Sequence, residues 1–232
     1  VISKIKDTDF LGANVTMPLK NEVIKYMDKL DISSQLAGAV NTIVPKNGQL
    51  IGYTTDGAGF VDSLKEIDVD VEGKDILILG AGGAATSVIV ELSLDKARSI
   101  TIAKRINNTI SDVKAFAKRI ATKTSCKTNV IDIEDNFVLK EAILQSHILI
   151  NATPVGMTSD KSLIDKSLLR QELTVCDLIY EPPMTKLLQD ASNAGCKYIN
   201  GKYMLLYQGA RSFKLWTGKD MPVSEVKEGY FF

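Results

Sequence analysis

Histidine occurs once in the 232 residues, as His147, and cysteine three times, as Cys126, Cys176 and Cys196. With no Cys-x-x-Cys pair and no His-rich cluster, neither a structural zinc nor a His-based triad has the side chains it needs, and no metal is expected. Three thiols, odd in number and widely spaced, suit a reducing compartment better than a disulfide framework, so cytoplasm is the expected location. Long apolar runs are missing too. Ile76 to Leu79 and Ile148 to Ile150 are among the longest, far short of the ~20 residues that cross a bilayer. No charged leader followed by an apolar stretch and a small-residue cleavage site opens the chain, so no secretion signal is read. The chain does begin at Val1 and not at Met, so material upstream is expected. An excess of charge of one sign is also lacking. Lys plus Arg and Asp plus Glu each total 28, which leaves no basic field to gather nucleic acid or coat an anionic membrane. No internal repeat or low-complexity tract is visible.

What the chain has is enough length to bury a sizeable core, as one large α/β domain or two modest ones. From Asp75 onward, short β-branched runs alternate with longer amphipathic stretches, the pattern of βαβ units around a parallel sheet. The expected strands are Ile76 to Leu79, Ile100 to Ala103, Asn129 to Ile133, Ile148 to Asn151, Val175 to Leu178 and Tyr198 to Ile199. Helices are expected around Ala84 to Leu94, Thr109 to Ala121, Lys140 to Gln145 and Lys186 to Ala194. His147 reads as a polar residue at the entrance of a strand. Before Asp75, the strand-like runs Ala39 to Val44 and Leu50 to Tyr53 flank Asn47-Gly48, a dipeptide that favours a hairpin turn. After Gly201 the chain reads as helical, with Leu205, Gly209, Phe213 and Trp216 near one face.

Gly80-Ala81-Gly82-Gly83-Ala84-Ala85 directly follows the strand Ile76 to Leu79 and opens a helix. It thus meets the Gly-x-Gly-x-x-Ala dinucleotide fingerprint in its proper context. Gly80 allows the tight turn, Gly82 lets backbone approach a pyrophosphate, and Ala85 keeps helix close to sheet. The bland alternative is a tight strand-to-helix turn with no ligand. An acid about 20 positions further on would bind the ribose hydroxyl of NAD. Here the second strand runs instead into Lys104-Arg105, two cations able to neutralise a 2′-phosphate, which favours NADP with NAD still possible. The alternative is two solvated charges at a strand end.

Asn14-Val15-Thr16-Met17-Pro18-Leu19-Lys20 alone proves little, since a lysine there can simply be solvated at a helix start. Gly38-Ala39-Val40-Asn41-Thr42-Ile43 and Gly52-Tyr53-Thr54-Thr55-Asp56-Gly57-Ala58-Gly59-Phe60 change the weighing. Together these three stretches resemble the shikimate dehydrogenase family in order and spacing. The likeness continues through Asn151-Ala152-Thr153-Pro154-Val155-Gly156-Met157, Asp177-Leu178-Ile179-Tyr180-Glu181-Pro182, and Gly201 with Met204-Leu205 through Gln208 to Trp216. It therefore spans nearly the whole chain.

The resemblance implies a Rossmann-like doubly wound parallel sheet over residues 57–200, binding NADP. It implies a smaller α/β substrate-binding domain from residues 1–56 with 201–232. By the same resemblance Lys20 and Asp56 form the catalytic pair, and Thr16, Asn41, Tyr180 and Gln208 contact substrate. The cofactor side comprises Gly80, Ala81, Gly82, Gly83, Ala84, Lys104, Arg105, Asn151, Thr153, Leu178, Gly201 and Met204.

Two departures matter. The family's opening strand, whose paired serines bind the substrate carboxylate, has no counterpart in the sequence, and a chain beginning at Val1 is expected to bind shikimate poorly. Many NADP-using members also carry Asn-Arg-Thr where this chain has Lys104-Arg105-Ile106. The implied activity is reversible NADP-dependent reduction of 3-dehydroshikimate to shikimate, in chorismate and aromatic amino acid biosynthesis. A quinate/shikimate dehydrogenase using NAD or NADP is the near alternative, and a catalytically silent metabolite-sensing module the distant one. A small-molecule substrate is the expected partner, with the protein a monomer or homodimer.

Overall fold

The structure, a computed structural model, describes Ile5 and residues 10–231. Four short strands form the first sheet: β1 (Ala13–Asn14), β2 (Lys29–Leu30), β3 (Thr42–Lys46) and β4 (Gln49–Tyr53), in the order β1-β3-β4-β2. β3 and β4 are an antiparallel hairpin. Its turn residues Asn47 and Gly48 have φ of 52° and 73°, the left-handed pair that matches the twist of a two-residue hairpin. Val23, Val40, Ile43 and Leu50 make the sheet's own small core. Helix α1 (Ile32–Ala37) starts where the Asp31 carboxylate accepts from the backbone N–H groups of Ser33 and Ser34. Helix α2 (Asp56–Leu64) follows β4 after only Thr54 and Thr55.

The second sheet has six strands: β5 (Asp75–Leu79), β6 (Ser99–Lys104), β7 (Lys127–Asp132), β8 (Ile148–Asn151), β9 (Thr174–Asp177) and β10 (Lys197–Ile199). All pairings are parallel. The order is β10-β9-β8-β5-β6-β7, so the chain winds outward from β5, crosses back to β8 and winds outward again, the doubly wound Rossmann arrangement. Successive side chains point to opposite faces. Ile76, Ile78, Ile100, Ile102, Ile148 and Ile150 enter one core with α3 (Gly83–Leu94) and α4 (Ile110–Lys123). Leu77, Leu79, Ala103, Leu149 and Val175 enter the other with α5 (Asn136–Gln145) and α6 (Lys186–Asn193). Burial on both faces explains why these strands read as continuous apolar runs without alternation.

Helix α7 (Gly201–Thr217) returns the chain to the first sheet. It packs along α2, and the Trp216 indole N–H donates to the Ile43 carbonyl at 3.0 Å. A short helix α8 (Val223–Val226) follows. Among the described residues no helix is long and apolar enough to cross a membrane.

Several boundaries differ from those expected. Residues 39–41 are not strand, because Val40 N–H donates to the Lys20 carbonyl, and β3 instead runs on through Pro45 to Lys46. The polar pair Lys127–Thr128 starts β7 at the sheet edge, where no apolar pattern announces it. Helix α5 begins at Asn136 because Asp135 caps it, accepting from the N–H groups of Phe137 and Val138. The buried residues of α7 are Gly201, Leu206 and Ser212, while Leu205 is 45% exposed. The inner side of that helix faces a polar network, which a search for an apolar stripe misses. His147 does stand at the entrance of β8, where its Nδ1 accepts from the Asp75 N–H at 3.2 Å.

Candidate active site

The hairpin brings two polar side chains to one end of the small sheet. Asn41 immediately precedes β3, and Asp56 opens α2 just after β4 ends. The Asn41 N–H donates to the Tyr53 carbonyl, so the two chain segments leave the sheet side by side. Lys20 arrives on the loop after β1. Its ammonium donates to Asp56 Oδ2 at 2.6 Å, and Asn41 Nδ2 donates to Asp56 Oδ1 at 2.9 Å. Both carboxylate oxygens are therefore held, at the N-terminus of a helix whose dipole favours negative charge.

The orientation of the Asn41 amide is settled by its other partners. Oδ1 accepts from the Thr55 backbone N–H at 2.9 Å and the Thr42 hydroxyl at 2.8 Å. A backbone N–H can only donate, so Nδ2 must face Asp56. Behind it lies a buried cluster in which Ser212 Oγ sits 2.8 Å from Thr42 Oγ1 and 3.2 Å from Thr55 Oγ1. Gln208, from α7, offers Oε1 to Asn41 Nδ2 at 3.4 Å.

These groups border a cavity of about 360 Å³. Thr16, Lys20, Asn41 and Asp56 border it together with Ala84, Leu178, Tyr180, Gly201, Met204 and Gln208. Asp56 is buried and Tyr180 is half exposed. Every residue expected to touch substrate thus borders one space, together with part of the expected cofactor set. A second cavity of about 380 Å³, bordered by Asp31, Tyr53, Glu91 and Arg211, contains neither Lys20 nor Asp56.

The fingerprint loop lies at the carboxyl end of β5, where the strand order reverses and open α/β sheets bind their ligands. Gly80 has φ of 98°, a conformation that side chains rarely adopt. Its N–H donates to the Ala103 carbonyl at 2.8 Å, and an added Cβ would lie 3.0 Å from the Ala152 carbonyl oxygen. No side chain caps α3, and Gly82 and Gly83 have open space where a Cβ would be. Free N–H groups and bare backbone fit a dinucleotide pyrophosphate. Ala85 is fully buried against the sheet. At the end of the neighbouring strand, Lys104 is tied to Asn107 Oδ1 at 2.6 Å, whereas Arg105 is exposed and makes no salt bridge among the described residues. Of the two cations, Arg105 is the one free to meet a 2′-phosphate.

Gly201 is fixed by contact. Its N–H donates to the Ile179 carbonyl at 3.0 Å, and a Cβ there would lie 2.1 Å from the Leu178 carbonyl oxygen. Asn151 and Thr153 do not border the cavity. Asn151 is buried, and its Oδ1 accepts from the Thr153 N–H and hydroxyl at 3.1 and 2.7 Å. Sequence reading assigned no role to Ser212, Thr42, Thr55 or Asp177. An aspartate at the end of an otherwise apolar strand was the signal available for Asp177.

A fingerprint turn and a lysine–aspartate pair facing one cleft define a dinucleotide-dependent oxidoreductase. Three family models match: the shikimate dehydrogenase substrate binding domain over residues 1–43, shikimate / quinate 5-dehydrogenase over 63–175, and the shikimate 5'-dehydrogenase C-terminal domain over 203–228. The chain belongs to the shikimate dehydrogenase family. It is 41% identical to the shikimate dehydrogenase (NADP(+)) of Listeria innocua, over 100% of this chain and 80% of that protein. It is 44% identical to the enzyme of the same name from Alkaliphilus metalliredigens, over 97% of this chain and 79% of that one. The crystal structure of shikimate 5-dehydrogenase from Listeria monocytogenes, in complex with shikimate and NAD, superposes with a TM-score of 0.94 at 41% identity, covering 98% of this chain and 80% of that one.

Proposed function

We propose that this chain catalyses the reversible reduction of 3-dehydroshikimate to shikimate with NADP, a step of chorismate and aromatic amino acid biosynthesis. The observation that carries the reading is the Lys20–Asp56 pair, 2.6 Å apart, in the cavity shared with Leu178, Gly201 and Met204. When bound, the nicotinamide would supply the hydride to the carbonyl carbon in reduction and take it from the carbinol carbon in oxidation. The protein must manage the proton on the attached oxygen.

Lys20 is the group for that proton. With one N–H on Asp56, its ammonium has donors left for an oxygen in the cavity. In reduction Lys20 gives a proton to the oxygen that becomes the hydroxyl, and in oxidation it takes that proton back. Asp56 holds the lysine in place and balances its charge, and the two titrate as a coupled unit. Asn41, Gln208, Thr16 and Tyr180 orient the ring hydroxyls, and Leu178, Gly201 and Met204 hold the nicotinamide end. Gly80 to Ala84 bind the pyrophosphate, with Arg105 on the 2′-phosphate.

We read the chain as two domains, residues 1–56 with 201–232 for substrate and 57–200 for NADP. The packing of α2 along α7 supports a contact between the two. The test is nicotinamide absorbance with shikimate and quinate, each with NADP and NAD. Turnover fastest with shikimate and NADP is expected. Preference for quinate reassigns the substrate, and no turnover with any pair favours a sensor.

A further inference from the structure

We infer that Asp177, a residue outside the cavity, is a positioning residue that sets the cofactor-facing loops; the inference rests on the dehydrogenase reading above. Asp177 ends β9 level with Asn151 at the end of β8, where the doubly wound sheet presents its ligand-binding edge. Its side chain is almost wholly buried, and no cation touches it among the described residues. Instead it accepts only hydrogen bonds from groups that donate. Asn151 Nδ2 and the Ile179 N–H reach Oδ1, both at 3.0 Å, and the Thr185 hydroxyl reaches Oδ2 at 2.7 Å.

The donors come from the end of β8 and from the two ends of the segment that joins β9 to α6. Asn151 also donates to the Val155 carbonyl at 3.2 Å and accepts from Thr153, which shapes the turn packed against Gly80. Ile179 lies between Leu178 and Tyr180, both of which line the cavity, and its carbonyl receives Gly201. Thr185 closes the segment containing Pro182 and caps α6. One carboxylate thus ties the loop beneath the fingerprint, the loop along the nicotinamide wall and the start of α6. Burial pushes its pKa above the ordinary carboxylate value, against these hydrogen bonds. The three hydrogen bonds that the carboxylate accepts offset that cost.

The prediction separates positioning from bulk stability. Asp177→Ala removes the acceptor of three hydrogen bonds and lets the flanking segments drift, and misplacement of about 1 Å can cost on the order of 100-fold. The expected result is a 10- to 100-fold loss of kcat/KM for NADP, at most a few-fold change in KM for shikimate, and weaker nucleotide binding in a calorimetric titration without substrate. Asp177→Asn keeps Oδ1 for Asn151 and Ile179 and presents an amide to Thr185, so it should recover most of the loss. Thr185→Val removes one bond only and should shift the cofactor constants in the same direction, to a smaller extent. It carries the test if Asp177→Ala does not fold. Wild-type cofactor constants in a folded variant, whatever its Tm, overturn the inference, as does an equal loss for shikimate and NADP. Failure of the dehydrogenase reading is distinct, since the parent protein would then show no turnover while the calorimetric comparison still stands.

Discussion

Lys20 and Asp56 lie 36 positions apart in sequence, and their side chains meet at 2.6 Å at the edge of one cavity that both border. The lysine comes from a loop and the aspartate from the first turn of a helix, so neither is placed by the other's local structure. A contact of this kind is made by the fold as a whole, and it separates chemistry from binding in a measurable way.

Lys20→Met keeps much of the aliphatic stem and removes the ammonium. Turnover should fall by about 10²- to 10⁴-fold, the usual contribution of a general acid–base group, while NADP affinity stays near normal. Asp56→Asn should be similarly severe, and the double variant little worse than either single one. Steady-state kinetics and a cofactor titration check this. Near-normal turnover with a raised KM for shikimate would assign the lysine to binding alone.

Arg105→Glu should weaken NADP more than NAD, because on the proposed assignment a bidentate partner of the 2′-phosphate becomes a repulsive charge. Lys104 is already tied to Asn107, so charge reversal there should have the smaller effect. Dissociation constants for both cofactors in both variants decide the matter, and an equal loss for NADP and NAD would show that Arg105 does not read the phosphate.

Glu91 gives a pH dependence. Burial first, then Asp95, with lesser help from Asp31 and Asp62 and opposed by Arg211, pushes its carboxyl from 4.5 up to about 7. The folded state keeps a proton that the unfolded chain has released, so this group's contribution to stability declines as pH rises from about 4.5 to about 7 and stays low above that. The span corresponds to a ceiling of about 3 kcal/mol. Glu91→Gln should therefore be more stable than the parent at pH 8 and close to it at pH 4.5. Urea unfolding at the two pH values measures the difference, and an identical shift at both would rule out titration as its source.

Gly201→Ala places a methyl against the Leu178 carbonyl, where only 2.1 Å is available. Backbone must move, and overpacking of this sort costs about 1 to 3 kcal/mol. Because α7 carries both Met204 and Gln208, KM for NADP and for shikimate should rise together. A change confined to one of them would show that the helix does not move as a unit.

The strand Ile148–Asn151 matches its sequence expectation residue for residue, and the fingerprint turn lies where its glycines placed it, because burial on both sheet faces and a tight turn are local signals. Helix α2 was not legible. Gly57 and Gly59 give its first turns the look of a loop, and its helicity comes from packing on α3 and α7. Lys20 and Asp56 were found through the family likeness, since nothing local marks either as reactive. The polar network beneath them was invisible for a related reason: Asn14 and Ser212 join at 3.3 Å across 198 positions of sequence. Asn151 and Thr153 were singled out, but their hydrogen bonds run inward to Asp177 and to each other, a direction that spacing does not encode.

Met204 and Gln208 stand about one turn apart on α7, a rise of about 6 Å along the axis. On the proposed assignment the first addresses the nicotinamide and the second the substrate ring. The gap that the hydride crosses is then gauged by the pitch of a single helix whose foot is wedged against Leu178. Loops around the cleft can vary in length without altering that gauge, whereas one residue inserted between the two positions would swing one of them about 100° out of the cleft.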